Sequence, residues 1–384
     1  MWRAVTITTQ GTPLVSATDV TFQLSDPDDA LRGVKLHQEI QRPRVGPGFT
    51  KLPGTDLWHL RFPRPATDRM EYKLELERPE GGSEVICDPA NPKRAPGPFG
   101  DRSVIEWPDY RPPRWLDDAA EPHGVVVERE IRSRIMKRSV RVHVWSSDGA
   151  HRGEELPLLV AHDGSDYANY SGLLLLLGAL VSRGELPPLR AALVDPVERD
   201  HMYSASTPYA RAFAHEILPQ LATLAPTQHG RGMRIGMGAS LGALAMLHVH
   251  RSHPATFGAL FLQSGSFFRQ RFDGQESGFV RFRRISRHVG QVLCAEDWAH
   301  PIRIAMTCGA VEENLRNNRA MCAALAGQGY DVSLLENRDA HNWIGWRDAF
   351  DPALIDLLRQ QWGRPARREQ PGTTPSAHPP ETSG

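Results

Sequence analysis

The chain has 384 residues, more than one ordinary compact core holds, so two domains are expected. Hydrophobic residues make up 40% and charged residues 23%, and 45 Lys and Arg balance 45 Asp and Glu to a formal net charge of zero. That balance gives no support to a global electrostatic role on nucleic acid or a membrane surface, so any charged ligand must be met by a local cluster.

The opening MWRAVTITTQGTPLV lacks the apolar core of a secretory signal. The most apolar run, Gly172 to Val181, is far short of the roughly 20 residues that span a bilayer and reads as a buried helix. Cys87, Cys294, Cys308 and Cys322 are scattered without CxxC pairs, which points to neither a disulfide framework nor a zinc site and makes a reducing cytoplasm the simplest compartment. Neither a metal nor a cofactor is expected, and the oligomeric state is left open.

The first 90 or so residues read as short strands, among them Val20–Leu24, Leu57–Phe62 and Glu71–Leu76, punctuated by Pro53-Gly54 and Gly81-Gly82. Such spacing suggests an immunoglobulin-like β-sandwich. From Asp88 to Pro113 seven prolines predict an extended connector. After about Gly124 strands and helices alternate. Val140–Trp145 alternates like a half-buried strand, while Leu156–Ala161, Ala191–Val194, Met233–Met237, Gly258–Leu262 and Ile302–Thr307 are apolar runs of buried strands. Helical spacing fills Pro208–Leu224, Leu241–His250, Asn314–Gln328 and Trp346–Trp362. The fold class is therefore α/β: a sandwich with connector over residues 1–115, an α/β domain with a mostly parallel sheet over 116–363, and a disordered polar tail over 364–384.

Gly238-Ala239-Ser240-Leu241-Gly242 fits G-x-S-x-G between an apolar strand and an Ala/Leu-rich helix, the setting of a nucleophile elbow. Ser240 is the candidate nucleophile, and it needs a base and an orienting carboxylate. His248, His250 and His253 read as a solvated helix end. His341 lies in a loop after the strand Val332–Leu335 and before the final helix, where the base belongs. Glu312 and Glu313, just past the strand ending at Gly309, and Asp339 are the candidate acids. The Leu241 N–H and a donor from His162-Asp163-Gly164-Ser165-Asp166, either Gly164 or Ser165, are the expected oxyanion hole.

Together these blocks resemble the enterochelin (enterobactin) esterase family, over most of the chain to about Gly363. LPGTDLWHLRF, DPANP, SVIEWPDY and PPRWL are similar to its early domain and connector. LLVAHDGSDY, GMGASLGALAM, LFLQSGSFF, CGAVEENLRNNRAMCAALAGQGYDV and AHNWIGWRDAF are similar to its catalytic blocks. The resemblance implies a cytoplasmic serine esterase of catecholate siderophore trilactones and favours Glu312 as the acid. It also implies substrate contacts from Arg199, Phe267, Phe268 and Trp343. The chain departs from the family in three places. Phe267-Phe268 replaces paired tryptophans, the segment at Arg199 to Tyr203 lacks an acidic position, and Asp339-Ala340-His341-Asn342 stands for Gly-Gly-His-Asp.

The expected partner is a small-molecule ester, with an anionic ferric siderophore suggested by Arg269, Arg271, Arg281, Arg283, Arg284 and Arg287, which follow a strand's carboxyl end. A carbohydrate or feruloyl-type esterase is the enzyme alternative. A non-catalytic siderophore-binding protein on a hydrolase scaffold is the alternative of another class.

Overall fold

In the computed structural model, residues 13–40, 45–118, 123–151 and 153–363 are described; the tail expected to be disordered lies outside them. Eight strands build the larger sheet: β1 (Val125–Ser133), β2 (Arg138–Ser146), β3 (Leu158–His162), β4 (Arg190–Val194), β5 (Arg234–Ala239), β6 (Ala259–Gln263), β7 (Arg303–Gly309) and β8 (Asp331–Asn337). They lie in the order β1-β2-β4-β3-β5-β6-β7-β8. β1 and β2 run antiparallel to their neighbours, and all other pairs are parallel.

Every residue of β3, β4 and β6 is buried, as continuous apolar strands with helices on both faces must be. One face packs Val160, Ala192 and Leu260 against Leu244, Leu247 and Phe213. The other packs Leu159, Ala191 and Phe261 against Leu176, Leu180, Leu354 and Leu358. The apolar run beginning at Gly172 is indeed a helix, Leu173–Ser182. The predicted helix Trp346–Trp362 is instead broken: Trp343–Asp348 is followed by Phe350–Leu354 and Ile355–Trp362, with Asp351 out of helical φ/ψ. Pro352 explains it, because proline pushes the residue before it out of the α region.

The early residues form two further sheets. One has the order Leu14–Val15, Asp19–Ser25, Leu57–Pro63, Thr50–Lys51. The other runs Val45–Gly48, Gly33–Gln38, Arg69–Glu77, Arg102–Glu106, Arg94–Ala95, with Ser83–Ile86 also paired to Arg69–Glu77. Alternate residues face a shared core of Val20, Phe22, Leu24, Leu60 and Phe62 with Val34, Leu36, Tyr72, Leu74 and Leu76. The expected connector is corrected here, since Arg94–Ala95 and Arg102–Glu106 inside it are strands of this sheet. Between its prolines, Ser103, Val104 and Ile105 are free to pair and to bury their side chains.

These sheets rest on the loop after β8. The Asp68 N–H donates to the Arg338 carbonyl at 2.9 Å, and the Tyr110 hydroxyl donates to Asp348 at 2.7 Å. No helix among the described residues is long and apolar enough to cross a membrane.

Candidate active site

Ser240 sits between β5 and the helix Leu241–Ser252 with φ 56° and ψ −119°, a conformation that strains any residue with a Cβ. The flanking glycines make the turn possible. A Cβ on Gly238 would stand 2.6 Å from the backbone carbon of Gly242, and one on Gly242 would press at 3.3 Å on Asp163 and His162. The Ser240 N–H donates to the Gln263 carbonyl at 2.9 Å, and the Ser266 N–H to the Ser240 carbonyl at 3.1 Å. The Ser240 hydroxyl is 3.1 Å from that of Ser266. Leu241 opens the helix, so its N–H has no acceptor within the helix and stands at the positive end of the helix dipole.

Glu312 is buried just past β7. One carboxylate oxygen accepts from the Ser264 hydroxyl at 2.6 Å and the Gly309 N–H at 2.8 Å; the other meets His341 Nδ1 at 2.7 Å. Trp346 packs its ring edge-to-face on His341, with centroids 4.9 Å apart, and donates its indole N–H to Ser264. Burial works against the charged imidazole, yet the Glu312 charge and hydrogen bond outweigh it and hold the His341 pKa above 6.5. Of the three candidate acids, Glu312 alone meets His341. Asp339 is turned to Arg69 at 3.0 Å, while Glu313 lines the cleft.

In the loop after β3, the Ser165 N–H donates to Asp195 at 3.0 Å and its hydroxyl to the same carboxylate at 2.6 Å. Ser165 is thereby removed from the candidate oxyanion donors, because its N–H is already spent on a carboxylate. The Asp163 N–H faces the Tyr203 hydroxyl at 3.3 Å, which leaves Gly164. A Cβ there would overlap Leu193 at 2.2 Å, so only glycine lets this loop lie on β4. Asp163 grips Arg199 with both oxygens, at 2.8 and 2.6 Å. Beneath it, buried His162 bonds the Tyr209 hydroxyl and the Gly242 carbonyl, tying this loop to the elbow.

Ser240, Ser266, Glu312 and His341 share one cleft of about 450 Å³. Arg199, Phe268 and Trp343 line it. Phe267 does not; it is fully buried in the core, so its expected substrate contact is corrected. None of the arginines between 269 and 287 lines the cleft either: Arg271, Arg283 and Arg287 are exposed, and the other three bond to the scaffold. Arg281 donates to His201, Arg284 to the carbonyls of Ser204 and His201, and Arg269 to Asn317.

The early sheets supply the opposite wall through Glu39, Glu71, Arg102 and the turn Ala95–Gly100. Phe99, 90% exposed, is at its tip. Sequence reasoning missed this wall, as it missed Ser264 and Ser266. For the serines the QSGS turn after β6 was a signal; for the wall there was none. The cleft's two guanidinium groups already have carboxylates, Arg102 with Glu39 at 2.7 Å and Arg199 with Asp163, while Glu71, Asp166, Glu276 and Glu313 also face it. Burial, reinforced by Asp163 and Asp195, lifts the Asp166 pKa to about 6.

Among the described residues no group of three or more His, Cys, Asp or Glu is placed to hold a metal. The solvated helix end expected at His248 and His250 is corrected. Both are buried, at 9% and 0% exposure, because this helix runs under β5 and against the helix Phe282–Cys294.

An α/β-hydrolase sheet with an elbow serine and a His–Glu pair at its carboxyl edge defines a class, and the Esterase family model matches residues 133–357. The chain belongs to that family and is a carboxylic ester hydrolase. Its relatives include the iron(III) enterobactin esterases of Escherichia coli O6:H1, 26% identical over 88% of this chain and 91% of that protein, and of Dickeya dadantii, 25% identical over 91% and 90%. The resemblance to enterochelin esterases read from the motifs is matched by these relatives. The crystal structure of the Shigella flexneri enterobactin esterase in the presence of enterobactin has a similar fold, with TM-score 0.73 and 23% identity over 90% of this chain and 94% of that one. A ferulic acid esterase has TM-score 0.52 and 17% identity over 63% and 98%.

Proposed function

We propose that this esterase hydrolyses the ester backbone of a catecholate siderophore through an acyl-enzyme on Ser240. The observation that carries the reading is the His341–Glu312 pair, 2.7 Å apart, in the same cleft as a strained elbow serine. Its relatives along most of the chain are iron(III) enterobactin esterases.

Ser240 turns from Ser266 to His341, gives its proton to the free imidazole nitrogen and attacks the carbonyl. Glu312 holds the ring and stabilises the imidazolium, and the Leu241 and Gly164 N–H groups take the developing oxyanion. His341 passes the proton to the leaving alkoxide, then activates the water that frees Ser240. Phe99, Phe268 and Trp343 give catechol rings flat apolar partners. Because both cleft arginines are already paired with carboxylates and Asp166 also faces the site, the iron-free ester is favoured over the anionic ferric complex.

We also read the two early sheets as an immunoglobulin-like unit ending near residue 115, followed by the catalytic unit. The compartment that fits four free cysteines is the cytoplasm. The test is a fluorophosphonate probe, followed by rates on iron-free and ferric trilactone, a feruloyl ester and a short aryl ester. The reading expects labelling lost in Ser240→Ala and fastest turnover of the iron-free trilactone. No labelling of the native chain would make it a binding protein, and preference for the feruloyl ester would make it a plant-wall type esterase.

A further inference from the structure

The loop that carries His341 is held by a residue far away in sequence. Arg69 begins the strand Arg69–Glu77 in the early sheet, and its side chain is only 2% exposed. One guanidinium nitrogen donates both to Asp339 at 3.0 Å and to the Asn342 side-chain oxygen at 2.9 Å; another donates to Glu71 at 3.0 Å. Asp339 and Asn342 stand on either side of His341. The same Asn342 oxygen accepts from the Gly345 N–H at 2.7 Å, capping the helix that carries Trp346. Asp339 in turn accepts from the Ala340 N–H at 2.7 Å and the Asn342 amide at 2.9 Å. Two glycines leave the room for it. A Cβ on Gly309 would meet the Asp339 carbonyl at 2.3 Å, and one on Gly345 its side chain at 3.0 Å.

We infer that Arg69 is a positioning residue for catalysis, reaching from the early sheet into the catalytic centre to set the base His341 against Ser240. The inference rests on the reading of His341 as the base.

Its physical basis is the number of contacts on so short a loop. Five residues separate β8 from the Trp343 helix, and Arg69 binds two of them with donors whose fork geometry is rigid. A buried guanidinium between Asp339 and Glu71 is also a strong local charge. It offsets two carboxylates that would otherwise add to the pull of Glu312 and Glu39 on the imidazolium, against which Arg199 acts in the opposite sense. Glu276, Glu313, Asp166 and Arg102 are the remaining ionisable groups facing the cleft. Arg69 therefore acts on both the place and the proton affinity of His341.

The test compares Arg69→Met, Arg69→Lys and Arg69→Met/Asp339→Asn on a small neutral aryl ester, with kcat, KM, the pH profile of kcat/KM and Tm for each. In Arg69→Met, kcat is expected to fall about tenfold to a hundredfold at nearly constant KM, since a loosened base costs the chemical step and not binding. The acid limb should move to higher pH, because Asp339 and Glu71 lose their cation. The double variant removes one of those carboxylates and the main folding hazard. Its limb should return towards the native position while kcat stays low. Arg69→Lys keeps the charge but not the fork, so it should hold the limb and recover only part of kcat. If Arg69→Met does not fold, the other two variants decide. Native kcat in the double variant, or full kcat in Arg69→Lys, would reduce Arg69 to a brace between sheets. Ester hydrolysis that Ser240→Ala or His341→Ala left unchanged would instead overturn the triad reading itself.

Discussion

Glu312 shows how one side chain is made to serve another. Its carboxylate is anchored by Ser264 and Gly309 on one oxygen, so the second has a single place to be, at His341. Removing that charge should be far worse than removing its neighbour's. Glu312→Gln is expected to lower kcat/KM on the order of 10⁴-fold, against less than tenfold for Glu313→Gln, measured with one aryl ester. The native acid limb should lie above pH 6.5, because His341 is held in its charged form by Glu312, and it should move down in Glu312→Gln. The sign for stability follows. A base whose folded pKa is raised binds its proton more tightly when folded, so this pair stabilises below pH 6.5 and the contribution fades as pH rises through the raised value.

At the scale of elements, three of the six described non-glycine residues with positive φ, Asp163, Ser240 and Ser264, belong to the turns after β3, β5 and β6. Strain gathers where the sheet's carboxyl edge presents the chemistry. The elbow tolerates no added atom, so Gly238→Ala should lower Tm by several degrees and slow fluorophosphonate labelling of Ser240 at least tenfold, because its Cβ would overlap Gly242. The turn Ala95–Gly100 behaves differently. Phe99 is 90% exposed and stabilises little, so Phe99→Ala should leave Tm unchanged. It should still raise KM for an aromatic ester roughly twofold to tenfold, the loss of about 0.5–1.5 kcal/mol of ring contact. An aliphatic ester of similar size should show no change.

Across the whole molecule, three histidines are buried and a fourth, His288, is half-buried against His248. Burial, first of all, pushes His162, His250 and His288 down to about 3 and His248 to about 4. The unfolded chain binds protons at these rings near pH 6.5 and the folded chain does not, so stability is present above that pH and is lost as pH falls. Each contributes on the order of 1 kcal/mol per pH unit below 6.5, and urea midpoints should therefore drop steeply between pH 6.5 and 4.5. His248→Phe or His288→Phe should flatten that slope; an unchanged slope would mean other groups carry the acid sensitivity. The same scale holds the working unit together, since the catalytic loop, the cleft wall and Arg69 come from sheets far apart in the chain.

Local chemistry was enough for much of this protein. Period and turn residues placed the sheet's inner strands, G-x-S-x-G marked Ser240 because an elbow needs small residues at both flanks, and His341 followed from its place after the last strand. What sequence left open was decided by contacts between distant segments. Glu312 prevailed over Asp339 because Asp339 is claimed by Arg69, 270 residues away. Ser165 spends its N–H on Asp195 on a neighbouring strand's loop, and Arg269, Arg281 and Arg284 after β6 meet Asn317, His201 and Ser204 instead of the cleft. Composition cannot foresee which partner a charged side chain will meet, because hydrogen bonds and ion pairs act over a few ångströms in space and carry no trace of their separation along the chain.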